Sequence, residues 1–137
     1  MISAIRIRRE ILSAMREEAA KMPAQECCGL LAGRDGVISA IFPAGNAHAT
    51  PATAYEIAPQ ELFRMVKEIR AKQLELLGIY HSHPRGENRP SPRDIASAFY
   101  SEAAYFIASP LADAVQPVRA FSIREGRVAE LKIDFVP

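Results

Sequence analysis

One short stretch constrains this chain more than any other. An apolar run, Leu76-Leu77-Gly78-Ile79-Tyr80, leads straight into His81-Ser82-His83, and seven residues later Ser91-Pro92-Arg93-Asp94 follows. The apolar run has the length and character of a buried strand. Ser91 at an N-cap, Pro92 at the first helical position and an acid at the third make a helix start in their own right. A strand end and a helix start joined by seven residues must lie at one mouth of the fold. The loop between them, Pro84 to Pro90, is rich in proline and polar residues and is expected to arch over a cleft.

Side chains alternate along a strand, so His81 and His83 project from one face and Ser82 from the other. Two imidazoles on one face, with a carboxylate returning from the next element, are three ligands of a kind suited to a catalytic zinc, whose fourth position takes water. Met singly, these residues read more plainly. Ser91 and Asp94 would be a capping pair, and a His-x-His pair at a strand end is more often surface or core polar structure. Their spacing is what shifts the balance.

The rest of the chain supplies a mixed frame. Residues 3–8 alternate as a short strand, and a helix carrying Ile11, Leu12, Met15 and Ala19 runs to a stop at Pro23. Cys27 to Ala32 reads as a buried strand, turning at Gly33-Arg34-Asp35-Gly36 into a second over Val37 to Phe42. Residues 43–53 form an irregular loop before a short strand at Tyr55-Glu56-Ile57. A helix is predicted from about Pro59 to Gln73, where Leu62, Met65, Val66 and Ile69 fall at helical spacing. A helix opens near Ser91, Ala104 to Ala108 is a buried strand, and Val118–Ile123 pairs with Val128–Phe135 around Glu125-Gly126. Without repeats or low-complexity segments, this pattern predicts one α/β domain over residues 1–137, a mixed three-layer-like sandwich with a central mixed β-sheet and about three helices.

A chain of 137 residues with a net charge of +1 offers no electrostatic case for nucleic acid or a membrane surface. No apolar stretch reaches the length of a transmembrane helix, and the N-terminus lacks a signal-peptide core, so a cytoplasmic location is expected. Cys27 and Cys28 are adjacent, with Cα atoms about 3.8 Å apart, too close for an unstrained mutual disulfide. They read as two small buried residues on opposite faces of a strand, with a reactive thiol or a spare ligand as the sharper alternative.

The spacing His81-Ser82-His83, seven residues, Ser91, two residues, Asp94 resembles the motif of the JAMM, or MPN-plus, metalloproteases. That family also has a glutamate far upstream, and Gln25-Glu26-Cys27-Cys28-Gly29-Leu30-Leu31 looks like the segment that carries it. The resemblance covers nearly the whole chain and is to the small stand-alone prokaryotic members. It implies a cytidine-deaminase-like JAB/MPN architecture and one Zn2+ per chain held by His81, His83 and Asp94. It also implies Glu26 as the general base on the zinc-bound water and Ser91 as oxyanion donor. The implied reaction is hydrolysis of a peptide or isopeptide bond after the C-terminal Gly-Gly of a ubiquitin-like or sulfur-carrier β-grasp protein. Without the resemblance nothing would single out Glu26 among the acids.

The chemistry is coherent with that assignment, since a carboxylate that is not itself a ligand can accept a proton from water and return it to a leaving amine. Ser91 can cap its helix and still donate its hydroxyl hydrogen. Tyr80 and Ser82 read as structural. His48 is expected to be a solvated loop residue, and Arg85, Glu87, Asn88 and Arg89 either touch substrate or form a solvated loop. Two rival readings stand beside the hydrolase: a non-catalytic MPN-type interaction module, and a thiol hydrolase using Cys27 or Cys28. A zinc deaminase ranks lower, for want of a His-x-Glu and Pro-Cys-x-x-Cys pair. The sequence leaves the oligomeric state open.

Overall fold

The computed structural model describes residues 3–137. β1 (Ala4–Arg8) passes directly into α1 (Arg9–Lys21), which buries Ile11, Met15 and Ala19 as the periodicity requires. β2 (Cys28–Arg34) and β3 (Val37–Ala44) form a hairpin closed by Asp35 and Gly36, with φ of 54° and 75°. Positive φ at both turn positions gives the mirror-image turn whose twist matches that of the strands. α2 (Pro59–Ala71) starts with proline at its first turn and buries Met65 and Ile69. It stops two residues short of Gln73, because Gln73 adopts a left-handed φ of 58°. The Gln73 N–H then donates to the Arg70 carbonyl (2.9 Å) and the Leu74 N–H to that of Ile69 (3.0 Å), a Schellman end that sends the chain into β4 (Glu75–Ser82). α3 (Pro92–Ala96), β5 (Ala104–Ala108), β6 (Val118–Arg124) and β7 (Arg127–Val136) complete the described elements.

The strands lie in the order β1-β3-β2-β4-β5-β6-β7, and β1 also pairs with β7, so the mixed sheet closes on itself. The β1–β3 seam is short, with only Arg6 opposite Val37 and Ile7 opposite Ile38. Consecutive residues of β2, β4 and β5 enter different cores. Leu31, Tyr80 and Phe106 pack with α1, while Leu30, Ile79, Tyr105 and Ile107 pack against Met65 and Ile69 of α2. Helices therefore cover the sheet from both faces, the three-layer arrangement expected, and strands buried on both faces read as continuous apolar runs.

Two local expectations are corrected. Tyr55-Glu56-Ile57 is not a strand. Its link to the 46–48 segment is one backbone hydrogen bond, Ala47 N–H to the Glu56 carbonyl (2.8 Å), while the Glu56 N–H goes to the side chain of Asn46. A side chain thus occupies the place of a strand partner. The preceding loop is also shorter than predicted, because β3 continues through Pro43 to Ala44. Proline is tolerated there because β1 pairs with β3 only at Val37 and Ile38, which leaves that end of β3 an edge. Among the described residues, no helix is long and apolar enough to cross a membrane.

Candidate metal centre

His81 lies near the end of β4 and His83 just beyond it, where the His83 N–H still donates to the Ala108 carbonyl at the end of β5 (3.0 Å). Ser82, between them, turns the other way. Fully buried, its Oγ accepts from the Cys27 N–H at 2.8 Å, which is the structural role the alternation assigned to it. Across the cleft mouth, Ser91 and Asp94 form a reciprocal capping box. Ser91 Oγ accepts the Asp94 N–H (3.1 Å) and Asp94 Oδ2 accepts the Ser91 N–H (2.9 Å). The cap that starts α3 therefore also aims the carboxylate.

Asp94 Oδ2 lies 3.1 Å from His81 Nε2 and 3.0 Å from His83 Nε2, and the two Nε2 atoms are 3.1 Å apart. Three donors each about 2.0–2.1 Å from a tetrahedral ion would sit about 3.3 Å from one another. The observed triangle is close to that. The tautomer of His83 follows from its other nitrogen. Nδ1 is 2.8 Å from the Glu87 carbonyl, which can only accept, so Nδ1 carries hydrogen, and whenever the ring is neutral it is the lone pair on Nε2 that faces the triangle. Burial holds His81 below the ordinary imidazole value, with Asp94 opposing. Burial by itself would raise the Asp94 carboxyl, but hydrogen bonding to the two imidazoles and the Ser91 N–H overcomes this and holds it well below the usual carboxylate range.

Burial likewise opposes charge on His83, but Asp94 and the Glu87 carbonyl outweigh it and raise its affinity for a proton. The centre of the triangle thus attracts positive charge, and a proton and a metal ion compete for it. Two imidazole nitrogens and a carboxylate oxygen, dry and pre-positioned, fit a divalent metal ion.

Glu26 completes the cluster: with His81, His83 and Asp94 it offers ligand-type atoms that all lie within 4.8 Å of one another. It immediately precedes Cys27 and the start of β2, is 4% exposed, and its Oε1 is buried with no hydrogen-bond partner. Burial pushes its carboxyl up to about 7, with the His83 charge opposing and the Asp94 charge assisting. A carboxyl poised near neutrality can take up and give back a proton at working pH. Glu26, His83 and Ser91 together line a cleft of about 680 Å³, with Pro84, Arg85 and Thr53 along its walls. The five residues named from the motif and the family resemblance therefore gather at one place.

Other residues came out differently. Tyr55, which the sequence offered only as part of a strand, stacks on His81 with ring centroids 4.4 Å apart and planes 20° from parallel. Asn46 passed unremarked in the sequence, where a polar loop residue carries no signal of its long-range bonds. Asn88 is not solvated as a loop residue would be: it is buried, and its Nδ2 donates to the Gln116 carbonyl at 2.7 Å. Arg85, Glu87 and Arg89 are exposed. His48 is half-buried, its Nδ1 accepting the Thr50 N–H at 3.0 Å, so it caps a turn within its loop. Tyr80 is a core residue. Cys27 and Cys28 are both buried and unpaired, and burial raises both thiols, Cys28 to about 12. Neither is poised as the thiolate that a thiol hydrolase needs.

Comparison with known proteins points the same way. The family model for prokaryotic homologues of the JAB domain matches residues 8–124. A desampylase of Haloferax volcanii is 38% identical over 105 residues, covering 75% of this chain and 76% of the relative. A probable TtuB-protein conjugate cleaving protease of Thermus thermophilus is 37% identical over 125 residues, covering 91% of this chain and 80% of the relative. Among solved structures, a Desulfitobacterium hafniense protein superposes with a TM-score of 0.84 at 31% identity, over 96% of this chain and 92% of that one.

Proposed function

The chain belongs to the family of prokaryotic JAB-domain homologues, and on that footing we propose that it is a zinc-dependent peptidase or isopeptidase. Its substrate is the bond after the C-terminal Gly-Gly of a ubiquitin-like or sulfur-carrier β-grasp protein. One observation carries this reading. Three converging donors, His81 Nε2, His83 Nε2 and Asp94 Oδ2, sit beside a buried carboxyl with no partner of its own, at the mouth of a cleft. The relatives support the substrate class, one being named a desampylase and another a protease of TtuB–protein conjugates. Two unpaired thiols suit the reducing cytoplasm expected from the sequence.

In this reading His81, His83 and Asp94 hold the zinc, one ion per chain. Zinc supplies a Lewis acid there and brings the pKa of a water it holds to about 7. Glu26 takes the proton of the attacking water at its Oε1 and returns it to the leaving amine. Ser91 Oγ already accepts the Asp94 N–H, which leaves its hydroxyl hydrogen free to donate to the oxyanion as the carbonyl becomes tetrahedral. The Glu87 carbonyl keeps His83 in the tautomer that presents Nε2.

The test is metal content and turnover in parallel. Purified wild type is expected to hold one zinc per chain and to cleave a Gly-Gly-ended β-grasp fusion, with both properties lost on chelation and in Asp94→Ala. A wild-type protein that binds no zinc after supplementation would sink the reading and leave the interaction module as the better account.

A further inference from the structure

The carboxyl of Glu26 is positioned from its backbone: Oε1 has no hydrogen-bond partner. Both peptide groups flanking Glu26 are tied to the 46–54 loop. The Glu26 N–H donates to the Pro51 carbonyl (2.8 Å), and the Glu26 carbonyl accepts from Asn46 Nδ2 (2.9 Å). The same carboxamide does three more things. Nδ2 also donates to the Ala54 carbonyl (2.9 Å), and Oδ1 accepts the N–H groups of His48 (3.0 Å) and Glu56 (3.2 Å). Two donors and two acceptor sites are the whole capacity of an amide side chain, and all are used. Its orientation is fixed by chemistry, because the two carbonyls can only accept and the two N–H groups can only donate.

The Ala54 carbonyl and the Glu56 N–H belong to the two peptide groups on either side of Tyr55, whose ring stacks on His81. One side chain therefore sets the backbone at both ends of the cluster. We propose that Asn46 is the positioning residue of this centre, locking Glu26 to the Tyr55–His81 stack and so fixing the distance between the proton carrier and the metal-binding histidines. The inference rests on the reading of Glu26 as the base. Asparagine is required because no other short side chain can serve two carbonyls and two N–H groups at once. Aspartate, of the same shape, would set an oxygen against the carbonyls of Glu26 and Ala54.

Asn46→Asp and Asn46→Ala test this. A displacement of Glu26 by the order of 1 Å is expected to lower kcat about 10²-fold, with KM held within about threefold. Zinc affinity, measured by chelator competition, should stay within about threefold of wild type. The ligands stand on β4, the residue after it and α3, and the Asn46 side chain hydrogen-bonds to none of these. In the metal-free protein, the His81 ring C–H resonances, shifted by the stacked Tyr55 ring, should move in both variants toward their positions in Tyr55→Leu. Unchanged kcat in both variants would overturn the proposal. So would zinc affinity falling in step with kcat, which would make Asn46 a support of the whole fold. If the wild type itself shows no hydrolysis, the functional reading fails, and the His81 resonances alone decide on Asn46: their staying in place overturns it.

Discussion

Glu26→Gln separates the burial of this carboxyl from everything else in the centre. In the metal-free protein burial raises the Glu26 pKa from an ordinary 4.5 to about 7. Between those values the folded chain keeps a proton that the unfolded chain has released, so stability falls as pH rises across that window and levels off above about 7. At 1.36 kcal/mol per pH unit the full shift is worth about 3 kcal/mol. Most of it lies between pH 5 and pH 8, and solvent screening on the cleft side reduces the expected change there to about 2 kcal/mol. Glutamine has the same shape and no charge, so the variant should lack this decline. The assay is urea unfolding followed by circular dichroism, with chelator present, for both proteins at pH 5 and pH 8. Asp94 stays ionised across this range in both proteins, and the mutual pull of Glu26 and His83 is part of what the difference reads. Wild type should lose about 2 kcal/mol more than Glu26→Gln over that range. Equal losses would refute the picture of a buried, near-neutral carboxyl. With zinc restored, the variant should also lose about 10²–10⁴ in kcat, since an amide cannot carry the proton.

Ser91→Ala removes the proposed oxyanion donor and a helix cap together; steady-state kinetics should show kcat lower by about 10²–10³, and urea unfolding a loss of about 1 kcal/mol. Asn88→Ala frees the loop that carries the Glu87 carbonyl from its 2.7 Å tether to Gln116. With His83 less firmly oriented, zinc affinity by chelator competition should fall about 10-fold or more. Gly29→Ala would place a Cβ 2.5 Å from both the Phe42 carbonyl oxygen and the Tyr80 ring. Neither can retreat within a closed sheet, and thermal unfolding should show a loss of about 3 kcal/mol.

Much of the site is local, and local chemistry is legible in a sequence. His81 and His83 share a face because strand side chains alternate, and Ser91 and Asp94 meet because a capping box joins positions three apart. The spacing of these two pieces placed both at one mouth, and resemblance to a known family supplied Glu26. The helices and the two terminal strands were equally readable, since their periodicity is a property of consecutive residues. Tyr55 was misjudged for the opposite reason. Tyr55-Glu56-Ile57 suggested a strand, but the segment pairs with no strand, and the Tyr55 ring goes to His81 instead. Asn88 looked like a polar loop residue, and only its distance from Gln116 reveals an anchor.

The sequence by itself determined the three converging donor side chains, the helix that aims the carboxylate and the α/β pattern that brackets them, because each follows from spacings of a few residues. Tertiary structure alone decided that the sheet closes through β1 and β7, that Glu26 is dry enough to titrate near neutrality, and that Asn46 holds Glu26 and Tyr55 in one frame. Burial, strand closure and side-chain bonds such as those of Asn46, which reach Glu26 20 residues away and Ala54 8 residues away, depend on how whole elements and loops pack, and no periodic pattern along the chain encodes them.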